Sequence, residues 1–599
     1  MAKELLKKRS EIDNKYKWDI EGIYKTNELC AKDLDEAVKL SKNLLEYQGK
    51  ICESKETLLK VLKLLDEIEE TFEKAFVYVM MKKDENAKES SSIELYSKGM
   101  NAYSLVLSNT AFVTPELLSY DVALINRYTE ECEDLKLYKF KLERILRTKA
   151  HVLSKEEESL LASLMEVFKG PQEIYTMLCD SDFNFGLVND EDGNEVQLTH
   201  GNYISLLSSH NREVRKEAFE KLYSKYKEYI NTISTTYSIQ VKGDVVEAKL
   251  RKYESSRQAA LDNNKIPEDV YDNLINTVHE YLPVMYKYVS LRKKLLGVDE
   301  LKMYDCYVPL VKLPKKEYSF EEAFDTAKNG LGALGKDYQN DFEKGRSENW
   351  IDVYENEGKK SGAYSTSAYK TKPYILLNFS NTLDDVFTLA HEMGHSINSY
   401  YSNKNQPFCY HDYSIFTAEV CSTVNESLLV KYMLETETDK DVRMYLLNHF
   451  LEEFRTTLFR QTMFAEFEYW SHKTVEEGGS LTSESLCQKY DELNKLYFGP
   501  DMDNTEFIKY EWARIPHFYR PFYVYQYATG YSAATAISKK ITEEGEIARD
   551  NYIKFLGAGY SDYPVETLKI AGVDMSKPEP VKLAMETFKS LVDEFEKMI

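Results

Sequence analysis

Membrane-length apolar runs, paired cysteines, basic clusters, glycine and proline are all scarce in this 599-residue chain. No stretch approaches the roughly 18 apolar residues of a spanning helix, and the opening residues MAKELLKKRSEIDNKYKWDI hold no apolar run of secretory length. A cytoplasmic protein without a membrane anchor is therefore expected. The eight cysteines are scattered, with no CxxC pair and no disulfide-dense segment, so reduced and mostly buried thiols are expected. Lysine and arginine number 77 against 100 aspartates and glutamates, and the resulting net charge of −23 argues against a phosphate-backbone groove and hence against nucleic acid as a partner. With only 24 glycines and 14 prolines to interrupt it, most of the chain should be helical. No internal repeat emerges, which disfavours a helical-repeat scaffold.

The segments Glu36 to Tyr47, Glu56 to Val79 and Ser154 to Phe168 place apolar residues at three- and four-residue spacing among lysines and glutamates, the pattern of amphipathic helices. Two stretches have a different texture. In SDFNFGLVNDEDGNEVQLTHGNY, alternating residues flank Asp192-Gly193, a dipeptide suited to a tight hairpin turn. In SGAYSTSAYKTKPYILLNFSNTLDD, Tyr374 to Phe379 reads as a short strand, with Asn381 or Thr382 as the cap of the helix that follows and Asp384 and Asp385 in its first turn.

That helix carries FTLAHEMGHSINSY, Phe387 to Tyr400. At about 100° per residue, His391 and His395 lie within roughly 40° of each other and can bind one ion together. Glu392, about 100° away, reaches a water held there but is poorly placed as a third ligand, and is the natural general base. Imidazole nitrogen, carboxylate oxygen and an open fourth position suit zinc. Gly394 is a poor helix former, and a close approach by another backbone or by substrate would explain it. The extended metzincin pattern is excluded, because Asn398 and Tyr401 stand where its Gly and His would be.

Downstream, IFTAEVCSTVNESLLVKYML, Ile415 to Leu434, reads as a second helix. Glu419 and Glu426 are seven residues apart, nearly two turns, and face the same way. Glu419 is assigned to the metal, and Glu426 to a hydrogen bond that orients a ligand histidine.

HEMGHS followed by FTAEVCSTVNE resembles the thimet oligopeptidase group of zinc metallopeptidases, and within it the oligoendopeptidase F family. SGAYSTSAY, KYKWDIEGIY and RIPHFYRPFYVYQYATGYS are also similar to that family, so the resemblance covers essentially the whole chain. It implies a mainly α, multi-lobed helical ellipsoid enclosing a deep substrate channel, with a small β-sheet beside the HExxH helix. It implies one Zn2+ per chain on His391, His395 and Glu419, with Glu392 as catalytic base and oligopeptides as substrates. Segments 1–110, 111–195 and 196–599 are read as an N-terminal helical lobe, an oligopeptidase N-terminal-type segment and the metallopeptidase domain.

Pro516 and Pro521 bracket His517 in a region that cannot be regular helix. The resemblance gives a histidine and tyrosines from this segment the task of stabilising the oxyanion of the tetrahedral intermediate. They map to His517 and Tyr527, with Tyr531 and Tyr525 behind. Tyr374 to Phe379, read as an edge strand, would let an extended peptide add as a further strand, with Gly362 in a closing loop and Tyr525 and His411 as further substrate contacts. A dipeptidyl carboxypeptidase, or a non-catalytic peptide-binding protein that kept the fold, are the alternatives. All ligand and base positions are intact, which weighs against the second.

Overall fold

The computed structural model describes residues 6–311, 316–503 and 506–599. It is mainly α, 72% helical, with three small sheets. Among the described residues no helix is long and apolar enough to cross a membrane. The eight cysteines are free thiols, six of them buried.

Two compact units form, and each is discontinuous in sequence. The first comprises Met1–Ala150, Lys315–Met433 and Ile537–Val573; the second comprises His151–Pro314, Leu434–Ala536 and Asp574–Ile599. They cut across the segments 1–110, 111–195 and 196–599.

In the first unit the helices Asn27–Leu44, Lys55–Glu85 and Ser90–Thr110 pack on one another. Ser54 caps the second, accepting a hydrogen bond from Thr57 N at 3.1 Å, and Leu58, Val61, Leu62, Leu65 and Ile68 follow as its buried stripe. The helix expected from Glu36 begins instead at Asn27, because Cys30 and Leu34 extend the buried stripe through a stretch that is otherwise polar. Trp18, Tyr24, Leu34, Tyr78, Tyr374 and Leu376 share a core cluster that joins these helices to a three-stranded sheet.

The order of that sheet fixes which of its strands lie at an edge. Its order is Ile351–Asp352, Tyr374–Leu376, Tyr364–Thr366, parallel in the first pair and antiparallel in the second. The expected edge at Tyr374 is thus corrected: Tyr374–Leu376 is the central strand and wholly buried, its neighbours occupying both sides. Its continuous apolar run belongs to a strand covered on both faces. Tyr364–Thr366 is an edge strand. Ile375 N and Leu377 N donate to Trp350 O and Asp352 O, so Tyr374 and Leu376 turn their backbone groups towards Thr366 and Tyr364. By alternation the N–H and C=O of Ser365 face the open edge.

In the second unit the hairpin Leu187–Asn189 with Glu195–Gln197 forms as expected, but its connection is longer than a two-residue turn. Only Gly193 has a positive φ, +82°, and the Asp190 carboxylate closes the loop by accepting from Asp192 N and Asn194 N. Ser154 caps the helix Lys155–Thr176 in a capping box with Glu157.

Candidate active site

The helix Leu383–Asn405 starts at Thr382, whose hydroxyl accepts from Asp385 N while the Asp385 carboxylate accepts from Thr382 N at 2.8 Å. Of the two expected caps, Thr382 is the one used; Asn381 precedes it at φ +66°. The second helix, Ile415–Thr436, crosses the first at Gly394, where a Cβ would lie 2.7 Å from Ser422 Cα and 2.8 Å from Cys421 O. Only glycine allows this approach, so the close contact expected at Gly394 is with another backbone. Asn425 ties the crossing together: it donates to Ala390 O at 3.0 Å and accepts from the Tyr338 hydroxyl at 2.8 Å.

The crossing brings His391, His395 and Glu419 together, one donor atom from each lying within 4.8 Å of the others. His391 Nε2 and His395 Nε2 are each 3.4 Å from Glu419 Oε2. Ligand atoms held at about 2.1 Å around a tetrahedral ion lie about 3.4 Å apart, so these three residues fit zinc. Burial opposes charge on His391, but Glu419 and Glu426 outweigh it and hold its pKa well above the ordinary value. Burial pushes the Glu419 carboxyl up, and His391 and His395 more than reverse that, leaving it far below the usual carboxylate range. The carboxylates thus favour positive charge at the imidazoles, carried by protons in the metal-free chain, which a metal ion would displace.

Each histidine has a partner on its other nitrogen. Glu426 Oε1 is 3.2 Å from His391 Nδ1, which leaves Nε2 to face the site. Cys421 Sγ is 3.7 Å from His395 Nδ1 and also donates to Ala418 O. Ser422 donates to Glu419 Oε2 at 3.1 Å. Sequence reasoning missed Cys421 and Ser422: the first was one thiol among eight, and the second shows itself only as the residue three beyond Glu419, one helical turn on.

Glu392 is 7% exposed and, among the described residues, its carboxylate accepts no hydrogen bond. Burial raises its pKa, against the pull of both histidines. Ser365, on the edge strand, shares a 2.8 Å hydrogen bond with Ser396, the residue after His395, which fixes the strand against the metal-bearing helix. Gly362 precedes that strand at φ +84° in open space, its carbonyl accepting from Asn378 Nδ2 at 2.8 Å. Tyr374 is 1% exposed, and its hydroxyl donates to Asp19 O at 3.3 Å. His411 is half-buried, its ring 5.0 Å from those of Phe408 and Tyr369, with Nδ1 2.9 Å from Asn403 Oδ1 and Nε2 3.5 Å from Glu73.

In the second unit, Pro516–Tyr519 forms a single 3-10 turn, and helix resumes at Tyr525. His517 is exposed, and its Nε2 lies 3.4 Å from the Tyr527 hydroxyl. Tyr523, not singled out from sequence, stacks parallel to the His517 ring at 6.1 Å. Burial, then Arg520 and Arg460, lower the His517 pKa, so the ring is neutral at pH 7. Tyr525 and Tyr531 are 2% and 4% exposed and pack against Tyr271 and Phe454 respectively. The structure therefore brings Tyr527 to His517 and sets Tyr525 and Tyr531 in packing.

Comparison with known proteins agrees with this geometry. Peptidase family M3 matches residues 205–587, and the Oligopeptidase F family matches residues 116–185. The chain is 46% identical over 591 residues to oligopeptidase PepF of Bacillus subtilis, covering 99% of this chain and 88% of that protein. It is 42% identical to an oligoendopeptidase F homolog of Lactococcus lactis, with 99% of each covered. Among solved structures, oligoendopeptidase-F from Enterococcus faecium is 37% identical with a TM-score of 0.74, covering 95% of this chain and 98% of that one. With a metal-type His-His-Glu group at the crossing of two helices and similarity along its whole length, the chain belongs to peptidase family M3, as a metalloendopeptidase of the oligoendopeptidase F type.

Proposed function

We propose that the chain is a cytoplasmic, zinc-dependent oligoendopeptidase that hydrolyses internal bonds of short to medium unfolded peptides, with one Zn2+ on His391, His395 and Glu419 and Glu392 as general base. The observation that carries this reading is the pair of 3.4 Å separations from Glu419 Oε2 to the two imidazole nitrogens, the edge length of a tetrahedral zinc site. Eight free thiols support a reducing compartment.

When bound, zinc supplies Lewis acidity that polarises the scissile carbonyl and lowers the pKa of the attacking water. Glu392, held free of competing hydrogen bonds, takes the water's proton and passes it to the departing amine. Glu426 keeps the His391 proton on Nδ1, so that Nε2 presents its lone pair.

The substrate lies along Ser365, whose outward N–H and C=O hydrogen-bond the peptide main chain. This recognises backbone more than side chains, so tolerance of sequence follows. For His517 and Tyr527 the resemblance to the family supports the role of donors to the oxyanion of the tetrahedral intermediate, which such donors bind more strongly than the planar carbonyl.

The test is to strip the protein with a chelator, restore stoichiometric zinc and map the products of one long peptide by mass. Activity that returns with one zinc per chain and gives internal cuts supports the reading. Sequential release of C-terminal dipeptides contradicts it.

A further inference from the structure

Six non-glycine residues adopt positive φ among the described residues, and five of them are lysine or asparagine. The sixth is Phe522, at φ +52°, a strained backbone for a bulky side chain. Such a conformation persists only where its surroundings hold it. Phe522 N donates to Glu468 Oε1 at 2.7 Å, and the ring packs 4.7 Å from the His472 ring and 5.9 Å from that of Tyr271.

Glu468 is fully buried on the helix Arg460–Glu476, and its Oε2 has no hydrogen-bond partner. Burial pushes its pKa up to about 8, so at neutral pH it is the uncharged acid, with Oε1 as acceptor. The charge nearby is already matched. His472, one turn on, pairs its Nε2 with Asp244 Oδ2 at 3.1 Å and its Nδ1 with Glu468 O, while Gln240 donates to the other Asp244 oxygen. A buried carboxyl with one oxygen idle is costly, and the Phe522 N–H is the contact it makes.

Phe522 separates two short turns. Before it, Arg520 N closes on His517 O at 2.9 Å; after it, Gln526 N closes on Tyr523 O and Tyr527 N on Val524 O. The φ of Phe522 sets the direction of the second turn relative to the first, and thereby the 3.4 Å approach of the Tyr527 hydroxyl to His517 Nε2.

We propose that Glu468 is a positioning residue that, by clamping the Phe522 amide, sets His517 and Tyr527 in register for their part in turnover. The proposal rests on the reading that these two donors serve the oxyanion. It adds a buried acid on another helix, far in sequence from the HExxH motif, to the working parts of the enzyme.

The test uses the zinc-loaded full chain with Glu468→Gln, Glu468→Leu, His517→Phe and the double variant Glu468→Leu/His517→Phe. Steady-state cleavage of an internally quenched peptide is read together with amide hydrogen exchange of segment 515–527, zinc content and thermal midpoint. The amide of Glu468→Gln still accepts from Phe522 N and should keep kcat within twofold. Glu468→Leu should lower kcat ten- to thirtyfold with KM little changed, raise exchange in segment 515–527, and cost clearly less on top of His517→Phe than it does alone, since only the share of Tyr527 is left to lose.

A full extra loss in the double variant, or unchanged exchange in Glu468→Leu, overturns the proposal. If His517→Phe alone keeps full kcat, the oxyanion reading falls, and exchange decides the clamp by itself: a rise supports it and no rise overturns it. Should Glu468→Leu not fold, Glu468→Met fills the same space with no carboxyl oxygen to accept from Phe522 N. The same kcat loss and exchange rise are expected there, and their absence overturns the proposal.

Discussion

Gly394 and Ser422 meet where the two metal-bearing helices cross: a methyl group at Gly394 would stand 2.7 Å from Ser422 Cα. The obstacle is backbone, which a rotamer change cannot relieve. Glu419 lies one turn before Ser422, so widening the crossing also pulls the carboxylate from the histidines.

Gly394→Ala should therefore cost about 1–3 kcal/mol of stability and weaken zinc binding as well, whereas a surface Gly→Ala change would leave the metal untouched. Thermal unfolding with zinc content by mass spectrometry checks both. A variant with normal zinc affinity would separate the crossing from the metal site.

Glu426→Ala removes the partner of His391 Nδ1, 3.2 Å away in the native chain. Loss of such a partner lowers metal affinity by about 10–100-fold. Competition against a chromophoric chelator measures it. Unchanged affinity would show that packing alone orients His391.

Compared with Ser365→Ala, which likewise lacks the hydroxyl bonded to Ser396, Ser365→Pro deletes one outward N–H at the sheet edge without removing a bond of the sheet itself, since proline is tolerated on an edge strand with its nitrogen facing out. One lost main-chain hydrogen bond of about 1 kcal/mol predicts a kcat/KM roughly fivefold lower with zinc content unchanged. Equal kcat/KM in the two variants would place the peptide elsewhere.

The buried acid Glu468 gives stability a pH dependence of definite sign. Its pKa rises from an ordinary 4.5 to about 8 on folding, so the native state keeps a proton that the unfolded chain releases. The contribution of the neutral acid is complete below pH 4.5 and is lost as pH rises through 8, a change on the order of a few kcal/mol. Asp244 and His472 face it as an ion pair, and the hydroxyls of Tyr237, Tyr271 and Tyr525, raised well above their ordinary range by burial, stay neutral across that window. Glu468→Gln has no such proton to lose. Thermal midpoints of wild type and variant should coincide near pH 5 and separate by several degrees at pH 8, the variant higher. A gap independent of pH would contradict the assignment.

The parts of the site legible in the sequence are those that local periodicity controls. His391 and His395 four apart, Glu419 and Glu426 seven apart, the Thr382 cap and the small residue at 394 all follow from helix geometry within two short stretches. What was not legible depends on pairing between distant segments. Tyr374–Leu376 reads as a strand, but whether it lies at the edge depends on Ile351–Asp352 and Tyr364–Thr366 finding it from either side. Cys421 gains a partner only because the helices cross at Gly394. Tyr525, Tyr527 and Tyr531 look alike in a chain of 46 tyrosines, and only packing against Tyr271 and Phe454 sets two of them apart from the one beside His517. Glu468 has no sequence signature at all, because its role comes from the strained Phe522 amide 54 residues away.

The central claim is that Glu392 is the general base of a zinc peptidase, and the most direct measurement compares zinc-loaded wild type with Glu392→Gln on an internally quenched peptide, with zinc content and cleavage products determined for both. Removing a general base costs about 10²–10⁴-fold in rate, so internal cleavage by wild type should fall by that factor in the variant while one zinc per chain stays bound. Equal activity in the two proteins, or none in zinc-loaded wild type across varied peptides, would contradict the account.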